Sequence, residues 1–359
     1  MRVLFAVMSP LDPHLGAPQM ALNLAAALRS EGVVAEVWSP HPVPSEVPWW
    51  RRMAWMRRAI VEHVERCGPF DVVDVPAIGV SRALARRSVV VARNIQPDLH
   101  YFWAELRYAG RLRRVAPHRQ ALNALFDSYL SALVVAGWFR ARRILCLGGL
   151  DHAWMCRRFP WWRGKLGMYP NAIDDDERAR LAAVRRGRKP PAGGGIRYLW
   201  LGRWAAHKGN DVLVRFVSRH LADHPRDRIT IAGCGAQARS HIPRELLDAG
   251  RVQLVESYSR GELPALLASH DAGLFTSRVE GWGLTLQEML ESGMPVHATD
   301  AGAAHDLRHD FPRQLRAFPP EPSQSSWEID DPPPEYFSRC SWPAIAAGWL
   351  AHVRDAIGR

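Results

Sequence analysis

The sequence predicts an α/β chain of two doubly wound, Rossmann-like units, and three observations carry that expectation. The length of 359 residues is about twice that of a common single domain. Short apolar runs of strand type alternate with helical patterns through both halves. The rhythm breaks once, at Arg185–Gly195 (RRGRKPPAGGG), where a charge cluster, two prolines and a closing run of three glycines suit neither helix nor strand and read as an interdomain linker.

In the first half, Val3–Val7 is an apolar β-type run. A Pro/Gly loop follows (SPLDPHLGAP), then a helical pattern over Gln19–Arg29 with Leu22, Ala25, Ala26 and Leu28 to one side, then a strand at Val33–Val37. Further strands fit at Val72–Val75, Val89–Ala92 and Ile144–Leu147, with helical stretches between them. After the linker the alternation restarts with strands at Ile196–Leu201, Ile229–Ala232, Val252–Val255, Ala272–Phe275 and Pro295–Ala298. Helices fit near Asp211–Leu221, near Glu245, over Gly261–Ala268 and from about Thr285 to Glu291. Such alternation predicts parallel sheets with ligands at the carboxyl ends of the strands. Pro319–Pro334 reads as a loop and Trp342–Ile357 as a closing amphipathic helix. The expected division is 1–180, 181–340 and a final helix, 341–359, packed back on the first domain.

Composition excludes several classes. Hydrophobic residues make up 47% and charged residues 23%, a globular balance. The longest apolar run, Leu130–Phe139, is far shorter than the roughly 20 residues that cross a bilayer, and the apolar start breaks at Ser9-Pro10, too early for a signal peptide. The expectation is a cytoplasmic chain without a transmembrane segment. Cys67, Cys146, Cys156, Cys234 and Cys340 form no metal or redox motif and read as free thiols. No RRM, zinc or helix-turn-helix signature points to nucleic acid. Residues 1–190 carry 29 Arg or Lys against 16 Asp or Glu, net +13, whereas 191–359 carry 18 against 20, net −2. A basic first half favours polyanions, although arginine-rich composition explains it as readily. Basic and aromatic stretches at Trp49–Arg66 and Arg107–Arg119 fit either peripheral docking on an anionic membrane face or solvated helix faces with tryptophans packed inward.

The second half holds the chemistry. Glu280 and Glu288 bracket EGWGLTLQE where a strand gives way to a helix, with Gly281 and Gly283 at the turn. Backbone amides at that helix start form an anion site. A carboxylate one turn into the helix can accept from two neighbouring ribose hydroxyls. Singly, Glu288 also reads as a solvated helix charge and Glu280 as a cap that favours the helix dipole. On sequence alone Glu288 is a cleft carboxylate without a buried partner, so its loss should leave stability unchanged. Arg203 and Lys208, in LGRWAAHKGND after a strand, can neutralise a diphosphate; singly they read as loop charges.

The run GRWAAHKG, then IAGCG, then HDAGLFTSRVEGWGLTLQEMLESGMPV resembles the GT4 family of retaining GT-B glycosyltransferases (glycosyl transferases group 1) in order, spacing and strand context over roughly 196–310. In the first half the likeness is one of layout, a first strand with a Gly16 loop and the segment YPNAID (Tyr169–Asp174). The resemblance implies a GT-B fold of two Rossmann-like domains facing a cleft, with the donor on the second and the acceptor on the first. It implies that Arg203 and Lys208 hold the donor diphosphate and Glu288 the donor ribose. Glu280 and the backbone of Gly281, Trp282, Gly283, Leu284 and Thr285 would face the donor sugar and phosphate, and Gly16 would approach the phosphate or acceptor. The family often has a His after a first-domain strand; here Val89–Ala92 runs into Arg93-Asn94, and His100 is the nearest candidate. Gly302–Leu307 (GAAHDL) also departs from the family's usual Gly-Gly and Glu pattern, which points to different acceptor-side or base-side contacts.

The implied activity is hexosyl transfer with retention, as in polysaccharide biosynthesis. The donor would be a UDP- or GDP-linked sugar and the acceptor a glycan, lipid-linked or small molecule, with no cofactor and no metal. The alternative is an NAD-dependent Rossmann oxidoreductase, since Gly233–Ala238 (GCGAQA) satisfies GxGxxA after a strand and Glu256 ends the next.

Overall fold

A computed structural model describes residues 1–12, 15–94, 98–108, 116–191, 193–321 and 328–358. Pro13 and His14 of the first loop, Ala192 of the expected linker, 109–115 of the second basic stretch and 322–327 of the expected Pro-rich loop lie outside these residues. The chain divides into two compact units, one formed by 1–102, 120–172 and 338–359, the other by 103–119 and 173–337.

The first unit begins β1 (Arg2–Ala6), α1 (Gly16–Ser30), β2 (Val34–Trp38), α2 (Arg52–Cys67), β3 (Val72–Pro76), α3 (Arg82–Ala85) and β4 (Val89–Asn94). Helix α4 (Asp98–Tyr108) passes from the first unit to the second, and α5 (Pro117–Arg140) returns. Then come β5 (Arg143–Cys146), α6 (Gly149–Arg158) and β6 (Leu166–Met168). The sheet order is β2-β1-β3-β4-β5-β6, with every pairing parallel. Its central strands are buried and mainly apolar, as in a covered parallel sheet, with Asp74 of β3 and Arg93 of β4 as a buried charged pair. Strand order reverses between β1 and β3, so the loop into α1, with Gly16 at the helix start, stands at the switch point.

The second unit runs α7 (Asp175–Gly187), β7 (Arg197–Leu201), α8 (Asn210–Asp223), β8 (Arg228–Ala232), α9 (Arg244–Asp248), β9 (Val252–Val255), α10 (Leu263–Ala268), β10 (Ala272–Phe275), α11 (Leu284–Glu291), β11 (Val296–Ala298), α12 (Ala304–Leu307), β12 (Leu315–Ala317) and α13 (Pro334–Arg339). Its parallel sheet is ordered β12-β11-β10-β7-β8-β9 around a core that includes Trp200, Leu213, Ile231 and Leu274. The switch point falls between β7 and β10.

Helix α14 (Trp342–Ile357) belongs to the first unit. It buries Ile345, Trp349, Val353 and Ala356, and the Trp349 ring lies 5.3 Å from Phe5 of β1. Its Nε1 donates to Asp74 Oδ2 at 2.8 Å, while Asp74 Oδ1 accepts from Arg93 Nε at 2.6 Å. Burial pushes the Asp74 carboxyl up, and Arg93 opposes the shift.

Two sequence expectations change. The linker starts later than Arg185, because Arg185 and Arg186 form the last turn of α7. That helix is capped by Asp174, whose side chain accepts from Asp176 N at 3.0 Å. Acidic residues fill its first turn and basic ones its last, the arrangement that the helix dipole favours, so the charge cluster is helical sequence. Counting unbroken apolar runs also misses α5. By length and composition, His118–Arg140 is long and apolar enough to cross a membrane. Its apolar residues are interrupted by Asn123, Asp127, Ser128 and Ser131, which hid it. Leu130, Val134 and Trp138 of this helix are buried; Val134 and Trp138 join the unit's core with Val73 and Ile144.

Candidate active site

The loops that follow β7 and β10 emerge side by side at the switch point of the second unit, and a polar chain joins them. Trp200 Nε1, on β7, donates to Thr276 Oγ1 at 3.0 Å, and that hydroxyl donates to the Lys208 carbonyl at 2.9 Å. The Arg278 amide donates to the His207 carbonyl at 2.7 Å. Gly209 has a left-handed φ of 68°, and a Cβ there would lie 1.9 Å from the Thr276 carbonyl oxygen. Only glycine permits so close an approach.

This junction brings Lys208 and Glu280 together. Lys208 Nζ pairs with Glu280 Oε1, which also accepts from Ser277 Oγ at 2.9 Å. Gly302 packs beneath them: a Cβ on it would come within 2.7 Å of Glu280 Cβ and 2.6 Å of the Trp282 carbonyl oxygen. The departing segment GAAHDL thus keeps a glycine where the glutamate loop needs one. Gly283 (φ 90°) precedes α11 and offers no side-chain cap, which leaves the first amides of the helix available to an anion. Leu284 and Thr285 are half-buried at that start, while Gly281, Trp282 and Gly283 are buried. The Trp282 indole is turned inward, donating to Gln287 Oε1 at 2.7 Å. Only its backbone can serve a ligand.

Glu288 differs from the sequence expectation. It is 0% exposed, and its Oε1 accepts from Arg260 Nη1 at 2.8 Å; Arg260 pairs through Nη2 with Glu177. Burial raises the Glu288 carboxyl above its ordinary range and Arg260 opposes that. For Arg260, burial works against the charge, but Glu288 and Glu177 outweigh it and the guanidinium is held more firmly protonated. The solvated-charge reading of Glu288 is excluded. So is the expectation that its loss would leave stability untouched, since a buried ion pair is broken.

The other buried polar side chains of α11 are bonded to protein. Gln287 Nε2 donates to Tyr336 Oη at 2.8 Å, Tyr336 Oη donates to Glu291 Oε1 at 2.5 Å, and Arg178 Nε donates to Glu291 Oε2 at 3.0 Å. Glu288 Oε2 is buried without a hydrogen-bond partner. Buried polar atoms are usually bonded, and among the described residues nothing bonds this oxygen.

The other expected residues lie as follows. Arg203 is exposed two residues past the end of β7. Gly16 opens α1, where Leu15 at the cap position makes no side-chain bond. His100 lies in α4, with its ring edge-on to Trp154 at 4.4 Å, and burial lowers its basicity. Arg260, Glu177, Thr276 and Ser277 escaped the sequence reading as site residues. Arg260 and Glu177 are separated by 83 positions and reach one another only through the fold. From α4, Glu105 Oε1 lies 3.1 Å from His207 Nδ1, which holds the Glu105 carboxyl below its usual range despite burial.

The dinucleotide fingerprint lacks its structural context. Gly233–Ala238 follows β8, away from the switch point, and leads into a short 3-10 segment, Ala236–His241, instead of the helix whose N-terminus would carry a pyrophosphate.

No protein of curated function is significantly similar in sequence. Residues 195–322 match the family model described as Glycosyl transferases group 1. Among solved structures, the Anabaena protein HepE in complex with UDP and glucose is 15% identical with a TM-score of 0.65, covering 99% of each chain. The catalytic domain of starch synthase IV from Arabidopsis thaliana, bound to ADP and acarbose, is 12% identical with a TM-score of 0.64, covering 100% of this chain and 99% of that one. Sucrose-phosphate synthase from Thermosynechococcus elongatus is 13% identical with a TM-score of 0.64, covering 99% and 94%. With its two parallel six-stranded sheets the chain has the GT-B fold, and the group 1 glycosyltransferase likeness lies in its second unit.

Proposed function

We propose that the protein transfers a hexose from a UDP- or GDP-linked donor, held on the second unit, to a glycan, lipid-linked or small-molecule acceptor taken by the first, as a GT4-like enzyme with retention of configuration. The observation that carries this reading is the open Oε2 of buried Glu288, in the same unit as the Lys208–Glu280 pair at the switch point. A ribose would supply the missing donor hydroxyl. The diphosphate would meet Lys208, Arg203 and the amides at the start of α11, and Glu280 would turn to the sugar hydroxyls. As the bond from sugar C1 to the phosphate oxygen breaks and that to the acceptor oxygen forms, charge develops on the departing diphosphate, where fixed cations and amides stabilise it. The acceptor proton leaves with that diphosphate or with solvent. We assign no catalytic step to His100, whose ring packs on Trp154, and leave to Gly16 a backbone contact with phosphate or acceptor. Retention and GT4 membership rest on the motif resemblance, and a cytoplasmic location on the sequence pattern.

Cations in this position make a divalent ion dispensable, so transfer should persist in EDTA. Strict dependence on magnesium or manganese would contradict the role of Arg203 and Lys208. A thermal-shift screen of UDP, GDP, ADP, their sugar conjugates and NAD(H) tests the function itself. One nucleoside diphosphate and its sugars should raise the melting temperature, whereas a shift with NAD(H) alone would favour the oxidoreductase.

A further inference from the structure

Helix α5 carries an apolar row at i, i+4 spacing: Leu122, Phe126, Leu130, Val134 and Trp138. Its last three residues are buried. Its first two continue along the helix where the core has ended, with Leu125 and Tyr129 beside them: Leu122 is 60% exposed and Leu125 70%. Such a row is what a helix packed along its whole length would show, yet among the described residues the N-terminal half leaves Leu122 and Leu125 exposed. The turn before α2 adds to the same surface. Trp49 meets Phe126 edge-on at 5.0 Å and Trp50 at 6.1 Å, and the two tryptophans are 59% and 54% exposed. Their expected inward packing is not observed.

The charge around this surface is mainly positive, with Asp127 and Glu46 the nearby acids. Trp49–Arg58 (WWRRMAWMRR) contains four arginines and no acid. Arg51, Arg52 and Arg58 are exposed, as is Arg119 in the first turn of α5. Arg57 turns inward and donates to the Val80 carbonyl at 2.8 Å, a structural contact. Exposed Trp, Leu and Tyr around a half-buried Phe126, bordered by arginines, is the composition of a surface that lies in the headgroup boundary, apolar face down and guanidinium groups among anionic phosphates. A span across the bilayer is excluded by the core packing of Leu130, Val134 and Trp138.

We infer that the surface formed by Trp49, Trp50, Leu122, Leu125, Phe126 and Tyr129, with its rim of Arg51 and Arg52, docks the first unit on an anionic lipid bilayer. A polar partner protein would leave the indoles in water. A second copy would bring the arginines of both molecules together, a like-charge contact that the lipid phosphates avoid. The inference is independent of the proposed transfer activity, because it is read by binding alone.

The experiment is co-sedimentation of the full chain with vesicles of phosphatidylcholine, with and without about one-third phosphatidylglycerol, at low and at physiological salt. Binding should be at least roughly ten-fold stronger to the anionic vesicles and should weaken as salt rises. Arg51→Gln with Arg52→Gln should weaken it by roughly ten-fold or more, at about five-fold per arginine. Trp50→Ser with Leu125→Ser should do so at unchanged melting temperature, because both side chains are exposed. The charge variant keeps the test sound if the apolar variant folds poorly. Equal binding to neutral vesicles, no binding, or variants that bind as the wild type would overturn the inference. So would a dimer in solution that the same substitutions dissociate, since the surface would then be occupied by a second copy.

Discussion

Two carboxylates that are fully buried against arginines, Asp74 in the first unit and Glu288 in the second, differ in how their oxygens are filled. In the first, both oxygens of Asp74 are engaged, one by Arg93 and one by the indole of Trp349. In the second, Arg260 takes one oxygen of Glu288 and leaves the other bare. The desolvation of a buried carboxylate is offset only when its acceptor sites are filled. The filled centre joins the closing helix to the sheet, and the unfilled oxygen of Glu288 is the position that the proposed ribose contact would occupy.

The comparison fails most visibly if Asp74 is not structural. Asp74→Asn leaves the Arg93 guanidinium buried without its counter-ion and should cost about 3–5 kcal/mol of stability. Denaturant unfolding measures it, and the folded protein should retain its nucleotide affinity. A loss below about 1 kcal/mol would remove the structural role.

Lys208→Met should lower kcat by roughly a hundred-fold, about 2.7 kcal/mol of transition-state stabilisation, with a smaller change in donor affinity. An effect confined to KM would assign Lys208 to ground-state binding.

A third contrast is set by pH. His297 on β11 is buried, and burial holds its imidazole down to about 4. Between that value and the ordinary one near 6.5 the unfolded chain binds the extra proton, so stability rises with pH across this window and is lost as pH falls below about 6.5. The loss should be about 1 kcal/mol per pH unit, and His297→Gln should remove most of it. A slope unchanged by that substitution would place the acid sensitivity elsewhere.

The alternation of apolar runs and helical patterns announced both sheets because the central strands are largely buried and so read as short, mainly apolar runs. In the second unit the candidate residues stand in two short motifs, Arg203–Lys208 and Glu280–Glu288, each following the end of a strand, so each motif could be read by itself although Lys208 and Glu280 are 72 positions apart. The short strands β6 and β12, at three residues each, leave too little pattern to see. The Glu288 environment was hidden for a different reason. Arg260 comes from the loop after β9 and Glu177 from α7, and nothing periodic in the chain brings them to one carboxylate. In the first unit, only layout was legible, because its switch point offers a helix start at Gly16 instead of a charged motif.

The central claim is that the open oxygen of Glu288 awaits a ribose hydroxyl, and one titration tests it most directly. The nucleoside diphosphate that stabilises the protein would be compared with its 2′-deoxy form against wild type and Glu288→Gln by calorimetry. The ribonucleotide should lose roughly ten-fold in affinity on mutation, because a hydrogen bond to a charged acceptor contributes about 1.5–3 kcal/mol. The deoxy form should bind the wild type weakly and lose much less, since the two deletions remove the same interaction. The mutation should also lower stability by about 1–3 kcal/mol through the Arg260 pair. Equal losses for both nucleotides, or no loss for either, would contradict the ribose role and leave Glu288 a structural partner of Arg260.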